Sequence, residues 1–421
     1  MKRSNRAVLA AALAWLMLPL SGCVSDPVVD MQKPQVEITF SWWGNDTRNE
    51  YTLKAVREFE QLHPEIKVKC SYSEWTGFEA RTNVRMASNT ESDVMQINFN
   101  WLALYSPDGS GYYDLESLGD TLRLDCFSQD MLSYGRVNGI LNAIPIAMNT
   151  ETVYFNKTIF DRYGLEIPQT WDDLFAAAQV MRDDGIYPMA GAQKSVWLYL
   201  LAYAEQKSGT TFLDENGRLR FTAAEFQSML EMYARMVNEK VIPQVEYFVR
   251  TDIDNGKYAG TVAWVSDAVN YFTASIDKGQ EIVIAPYTDL DPAHSGEGWY
   301  AKPATLYAIS RNTEQPREAA MLLDFLLNSK EMALLQGVEK GIPLSTAAKG
   351  YLEDADQLSG IQYDASQRME STEGLATIRP IMENSALLDT FIDCANQVLF
   401  EKAPAAEAAA VVRDKAKELL G

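Results

Sequence analysis

The sequence predicts an α/β fold divided into two lobes, and three observations carry that expectation. Strand and helix patterns alternate from residue 36 to residue 98. Segment 139–174 reads as a crossing from one lobe to another, with extended runs, a short helix and a strong helix start in close succession. A chain of 421 residues is long enough to bury a core in each lobe.

Taken in order, Val36, Ile38 and Phe40 alternate with polar residues, which fits a first strand. Thr47 and Glu50 have capping-box spacing, ahead of a helix whose apolar face is Leu53, Val56, Phe59 and Leu62. Pro64 ends it. Ile66, Val68, Cys70 and Tyr72 alternate as a second strand, and residues 93–98 form a third after an intervening helix. Strand–helix–strand units imply a parallel sheet, whose ligands sit beyond the carboxyl ends of the strands.

In the crossing, Ile144, Pro145 and Ile146 make an apolar run that ends at the polar Asn149-Thr150-Glu151. Residues 152–155 are β-branched and aromatic, so they read as a strand. Asn156 caps a short helix that stops at Gly164, and Thr170 with Asp173 forms a capping box for the next. Helices follow at 196–207 and 222–238, the latter opened by Thr222 and Glu225. Short strands are expected at 262–265, 282–284 and 305–310. Pro316 sits at a first-turn position of a helix through Leu327, and the tail is helical over 387–400 and 405–420.

The N-terminus indicates the compartment. Lys2, Arg3 and Arg6 precede the apolar run 7–20, which is too short to span a bilayer and fits a signal peptide over residues 1–22. Leu20-Ser21-Gly22-Cys23 resembles a bacterial lipobox, which implies acylation of Cys23 and attachment to the bilayer, with 23–34 as tether. The competing reading is an ordinary cleaved signal with a chance cysteine. The formal net charge of −21 becomes more negative once the leader leaves, which argues against nucleic acid or anionic lipid as a partner of the folded part. It is compatible with a cationic ligand, although an acidic solvated surface is the commoner reason. Cys70, Cys126 and Cys394 are odd in number and scattered, so they give neither a disulfide framework nor a zinc pattern; a single pairing stays open.

Several fragments fall in a fixed order along the chain: Phe59 with His63-Pro64-Glu65-Ile66-Lys67-Val68, Asp93-Val94, 111–115, 139–145, Tyr154-Phe155-Asn156-Lys157, Gly164-Leu165, 168–174 and Gly256-Lys257. As an ordered set they resemble the extracellular solute-binding proteins, family 1, that feed sugar ABC importers. Ser92 and Leu141-Asn142 depart from the family pattern, so the identity of the sugar does not transfer. The resemblance implies a two-lobe, periplasmic-binding-protein-like (type II) fold with a hinge and a ligand cleft between lobes. The implied N-terminal lobe is 35–148 plus 303–348, and the C-terminal lobe 149–302 plus 349–421. It also implies a monomer on the extracytoplasmic face of a bacterial membrane, docking on ABC permease subunits.

Ligand candidates are the aromatic, amide and acid side chains near strand ends. In the first lobe these are Trp43, Asn45, Asp46, Trp75, Asn98, Asn100 and Trp101; in the second, Asn149, Tyr154, Trp197, Trp264, Asp267, Trp299 and Tyr300. Adjacent strand residues face opposite ways, so of Trp42 and Trp43 at most one faces the cleft. An indole covers the C–H face of a pyranose, and Asp or Asn matches hydroxyls that both donate and accept. Core packing competes for every tryptophan, above all for Trp171 after its helix cap, and capping competes for Asp46 and Asp267. Gly341-Ile342-Pro343 resembles the family's late loop by the cleft, contributing backbone.

Catalysis has little support. His63 and His294 are the only histidines, which makes a Ser-His-Asp triad or a histidine zinc site improbable. No GxxxxGK loop or dinucleotide fingerprint is present, so no cofactor is expected; calcium at Asp289 and Asp291 is conceivable, but those acids are equally ordinary loop residues, and no metal is assigned. Paired carboxylates can hide among 58 acids, which leaves a secreted glycosidase as the enzyme alternative and a glycan-binding sensor or adhesin as a third class.

Overall fold

The computed structural model describes residues 36–291, 297–372 and 375–421. The leader, Cys23, the tether and His294 lie outside them. The strands are β1 (Val36–Trp43), β2 (Ile66–Ser73), β3 (Val94–Ile97), β4 (Arg136–Val137), β5 (Ile140–Leu141), β6 (Ala143–Asn156), β7 (Gly260–Trp264), β8 (Ile282–Ile284), β9 (Tyr300–Ile309) and β10 (Ala376–Thr377). β4 and β5 make a small hairpin, and the other eight share one sheet with the path β2-β1-β3-β9-β6-β7, β8 pairing with β6 and β10 with β9. β1 pairs parallel with β2 and β3. β9 then runs antiparallel to both β3 and β6, so the sheet is mixed beyond its first three strands.

Two cores flank this sheet. The first gathers Ile38, Phe40, Trp42, Phe59, Tyr307, Leu322 and Phe325 between β1, β9 and helices Asp46–Leu62 and Pro316–Asn328. The second is built by helices Gln193–Ser208, Ala223–Asn238, Ser385–Leu399 and Ala405–Leu420, with Trp197, Phe226, Tyr233, Phe391 and Val412 inside.

The capping patterns at Thr170–Asp173 and Thr222–Glu225 form as full capping boxes, and Asn156 accepts from the Ile159 amide. At the first helix the cap differs from the expectation. Asn45, not Thr47, is the N-cap, its Oδ1 accepting from the Arg48 amide at 2.9 Å. Asn and Ser or Thr are comparably good caps, so spacing alone did not discriminate between them.

The crossing also differs. Two extended runs separated by a polar break were expected, but β6 is one continuous strand of 14 residues, all buried. Asn149, Thr150 and one Glu151 oxygen find partners in place, so nothing forces a turn, although the second Glu151 oxygen is buried without one. Asn149 donates to Ser266 Oγ at 3.0 Å, the Thr150 hydroxyl to the Tyr300 carbonyl at 2.8 Å, and Glu151 accepts from Ser195 Oγ at 2.8 Å. β6 begins beside β9 in the first half of the sheet and ends between β7 and β8 in the second. Its register against β9 shifts between Pro145 and Ala147 and again between Ala147 and Met148. Gly341, at φ +101°, lies against Ala147 there; a Cβ at 341 would come 2.7 Å from the Ala147 Cβ. Cys70, Cys126 and Cys394 are free thiols.

Candidate functional site

The carboxyl end of β1 separates its two tryptophans as strand alternation requires. Trp42 is fully buried on Phe40, covered by Tyr72 at 4.8 Å, and its indole N–H donates to Asn49 at 2.9 Å. Trp43 faces the other way, with its ring 5.0 Å from Trp75, 5.6 Å from Phe78 and 6.0 Å from Trp101. Trp75 and Trp101 lie nearly parallel, with centroids 5.8 Å apart. Trp101 is buried beneath this cluster, whereas Trp75 is 37% exposed and presents its surface to the gap. Both lie in the first turn of a helix rather than in a loop, Trp75 in Trp75–Ser88 and Trp101 in the short Asn100–Tyr105. Asn98 accepts from the Asn100 amide at 3.0 Å.

Across the gap stands a group that the sequence did not single out. Lys302, on β9, donates to both Glu383 oxygens at 2.6 Å, and Lys194 donates to the same carboxylate at 2.9 Å. The Lys302 and Glu383 side chains are 15% and 6% exposed. The two ammonium groups lie 4.7 Å (Lys302) and 5.8 Å (Lys194) from the ring centre of Trp264. Burial alone would raise Glu383; the two lysines overcome it and hold the carboxyl below its usual range. Burial pulls Lys302 below the ordinary lysine value, with Glu383 opposing. Behind them, burial pushes Glu151 up to about 8 against its Ser195 hydrogen bond, and Asp267 up to about 6. Two cations therefore share one firmly ionised acid, while burial shifts Glu151 behind them toward its protonated form.

The gap between these walls holds about 610 Å³, bounded by Trp75, Asn98, Asn100 and Trp101 on one side and Lys194, Lys302 and Glu383 on the other. A smaller hollow of about 230 Å³ shares Trp75 and Asn98 with it and reaches Trp43, Asn149, Ser266, Arg48 and Lys340. Arg48 is held by Glu339 in a two-point pair at 2.7 and 3.1 Å, with Tyr51 donating to the same carboxylate at 2.7 Å. Lys340 is buried and donates to Gln96 at 3.0 Å and Tyr307 at 2.9 Å; burial pulls it well below the usual lysine value.

Trp75, Asn98, Asn100 and Trp101 thus line the gap, and Trp43 and Asn149 the smaller hollow that adjoins it at Trp75 and Asn98, with Trp264 reached through the lysines. Asn45 is occupied as a helix cap and Asp46 is exposed in the first turn, both outside the lining. Four aromatics expected there are packed elsewhere. Trp197 is fully buried on a helix enclosed on all sides, its N–H donating to the Met382 carbonyl at 2.9 Å and its ring on Phe391. Tyr154 is buried near the end of β6 against Phe272, at 4.6 Å. Trp299 is packed between Tyr287 and Tyr199, and the Tyr300 hydroxyl donates to buried Glu205. Proximity to a strand end in sequence does not say which aromatic a helix will cover. His63 sits at a helix C-cap, 3.8 Å from Glu65. No helix among the described residues is long and apolar enough to cross a membrane.

A sequence profile of the bacterial extracellular solute-binding protein family matches residues 43–333, the span that builds the first wall and reaches Lys302. The chain belongs to this family. Relatives of this solute-binding protein are named as binding proteins. One is the melibiose/raffinose/stachyose-binding protein MelE of Bacillus subtilis, 22% identical over 84% of this chain and 85% of that one. A solved periplasmic oligogalacturonide-binding protein from Yersinia enterocolitica, in complex with saturated digalacturonic acid, superposes with a TM-score of 0.82 at 32% identity, covering 92% of this chain and 99% of that one. A chain described as a de novo designed cysteine esterase superposes with a TM-score of 0.82 at 31% identity over 92% and 98% of the two chains. The fold is that of the periplasmic solute-binding proteins, and the family places the solute-binding protein outside the cytoplasm, in ABC-type uptake.

Proposed function

We propose that the protein captures an acidic saccharide of the uronate type between its lobes and delivers it to an ABC importer, held at the membrane by acylated Cys23. The lobes in this reading are 35–148 plus 303–348 and 149–302 plus 349–421. One observation carries the choice of ligand: Lys194 and Lys302 share a single carboxylate in a part-buried wall that faces a tryptophan cluster. A sugar carboxylate supplies the missing negative charge, and its ring covers the exposed Trp75 surface. The oligogalacturonide-binding relative at 32% identity supports the same class.

The magnitudes agree. Covering roughly 100 Å² of sugar face at about 25 cal/mol per Å² contributes on the order of 2.5 kcal/mol. Charge-assisted hydrogen bonds to the two lysines add about 1.5–3 kcal/mol each. Platform and lysines together thus approach the roughly 8 kcal/mol of a micromolar site before ordering costs, which hydroxyl hydrogen bonds to Asn98 and Asn100 must offset. Each wall supplies part of the contact, so ligand favours the arrangement in which both touch it. The chain then needs membrane permease subunits, because it carries no nucleotide-binding loop of its own.

Calorimetric titration with galacturonate, digalacturonate and the matching neutral galactosides tests the assignment. The uronates are expected to bind at least about tenfold more tightly than their neutral counterparts. Equal affinity for both, or preference for the neutral sugars, would remove the lysine wall from the account. Appearance of new reducing ends during the titration would favour the glycosidase instead. Trp75→Ala is expected to weaken uronate binding by up to about seventyfold, the loss of the ~2.5 kcal/mol platform, read by the same titration.

A further inference from the structure

The gap continues past the lysine wall into a third hollow of about 630 Å³, which shares Asn100, Ala103 and Pro380 with it. Phe99 and Tyr134 face it from the first lobe, their ring centres 6.4 Å apart, and 377–380 bounds it from the second. The second-lobe wall is held in place by the sheet: β10 pairs with β9, and the Ile378 amide donates to the Ala301 carbonyl at 3.0 Å. Arg379 comes next and is exposed. It is the N-cap of the 3₁₀ turn Pro380–Glu383, so one turn links it to the carboxylate that the two lysines share. At about 2.0 Å of rise per residue, that turn separates Arg379 from Glu383 by about 8 Å.

The charges of this hollow are unequally committed. Arg136 is held by both Glu116 oxygens at 2.6 and 3.0 Å and by the Gly139 carbonyl at 3.1 Å. Among the described residues, Arg379 has one hydrogen bond, to the Glu215 carbonyl at 3.5 Å, and no carboxylate partner. Asp130, exposed on the opposite wall, is the acid of the lining. A hollow of this size, continuous with the first and flanked by aromatic rings, has the volume and surface of a small-ligand site.

We propose that this hollow is a second saccharide subsite, in which Phe99 and Tyr134 flank the next ring of an oligouronide and Arg379 pairs with its carboxylate. The proposal rests on the uronate reading of the first gap and adds to it a direction and a minimum length: the chain of sugars runs from the lysine wall toward Arg379 and spans at least two units. An arginine fork matches a carboxylate in two-point geometry, and Asp130 on the facing wall disfavours a second ligand charge there, so the carboxylate must turn toward Arg379.

Galacturonate, digalacturonate and trigalacturonate titrated into the full chain and into Arg379→Gln test the subsite. In the unaltered protein the di- and trisaccharide are expected to bind about tenfold or more tightly than the monosaccharide. Arg379→Gln is expected to abolish most of that increment, and Tyr134→Ala to reduce it. An increment that survives both substitutions overturns the proposal, as does an equal loss for all three ligands in Arg379→Gln. Monosaccharide binding with no increment in the unaltered protein sinks the subsite alone. Absence of binding by every uronate sinks the reading of the first gap as well.

Discussion

Lys302→Met is expected to weaken binding of a uronate by about a hundredfold while changing the affinity for a neutral galactoside by less than threefold. Truncating one member of a hydrogen-bonded charge pair costs about 2–5 kcal/mol, and a hundredfold corresponds to about 2.7 kcal/mol. The substitution also removes one of two cations from Glu383, whose side chain is 6% exposed. Leaving a buried carboxylate short of a partner is destabilising, and with Lys194 still present at 2.9 Å the expected loss is about 2 kcal/mol. Lys302→Met with Glu383→Met separates the two effects. Replacing both partners by apolar groups of similar size is often neutral for stability, so the thermal midpoint should recover while uronate binding does not. Should binding recover together with stability, Lys302 would be a structural residue and the charge argument would fail.

The second large effect is on pH. Burial pushes Glu151 up to about 8, and Lys194, Lys302 and Asp267 are the charged groups that act on it. Below that value the acid is neutral and adds no second negative charge beside the lysines that Glu383 already holds. As pH rises through about 8, Glu151 ionises beside them and competes with the ligand carboxylate. Asp267, pushed up to about 6, begins the same competition earlier. Affinity for a uronate should therefore fall in two steps as pH rises, and affinity for a neutral sugar should stay flat. Glu151→Gln, which still accepts from Ser195, should remove the upper step and leave the lower. The sign for stability is the same. A carboxyl whose folded pKa is raised holds its proton where the unfolded chain has lost it, so its contribution is complete below the ordinary glutamate value near 4.3 and is lost as pH rises to about 8. A uronate isotherm unchanged from about pH 6 to about pH 9 would contradict this.

Much of the scaffold was readable because its signals are local. The capping boxes at Thr170 and Thr222, the first-turn Pro316, and the alternation that sends Trp42 inward and Trp43 outward need only neighbours a few residues away. Trp75, Asn98 and Asn100, which line the gap, stand out because they follow strands within a few residues. The second wall does not. Lys194, Lys302 and Glu383 are separated by 81 to 189 residues, and each alone is an ordinary charged residue. One clue was available: Lys302 stands in the run YAKPATLYAI, a strand otherwise rich in apolar residues, where a charge requires a partner. The aromatics that proved buried, Trp197, Trp299 and Tyr300, show the converse. Which ring is covered depends on helices far along the chain, such as Ser385–Leu399 against Trp197, and no local pattern records that.

The long strand β6 has a mechanical consequence. It crosses from one body of the protein to the other without interruption, so the two bodies are joined by a stiff ribbon rather than a slack cord. Its slips of register at Ala147 are where the main-chain ladder is already broken, and twisting there disrupts the fewest bonds. A rotation of one body against the other would turn most easily about that point, where Gly341, lacking a Cβ, packs close against Ala147. Rotation about one such pivot would bring the tryptophan face and the lysine face together in a single repeatable alignment, and selectivity for the solute would then be set by the pivot as much as by the residues that touch it.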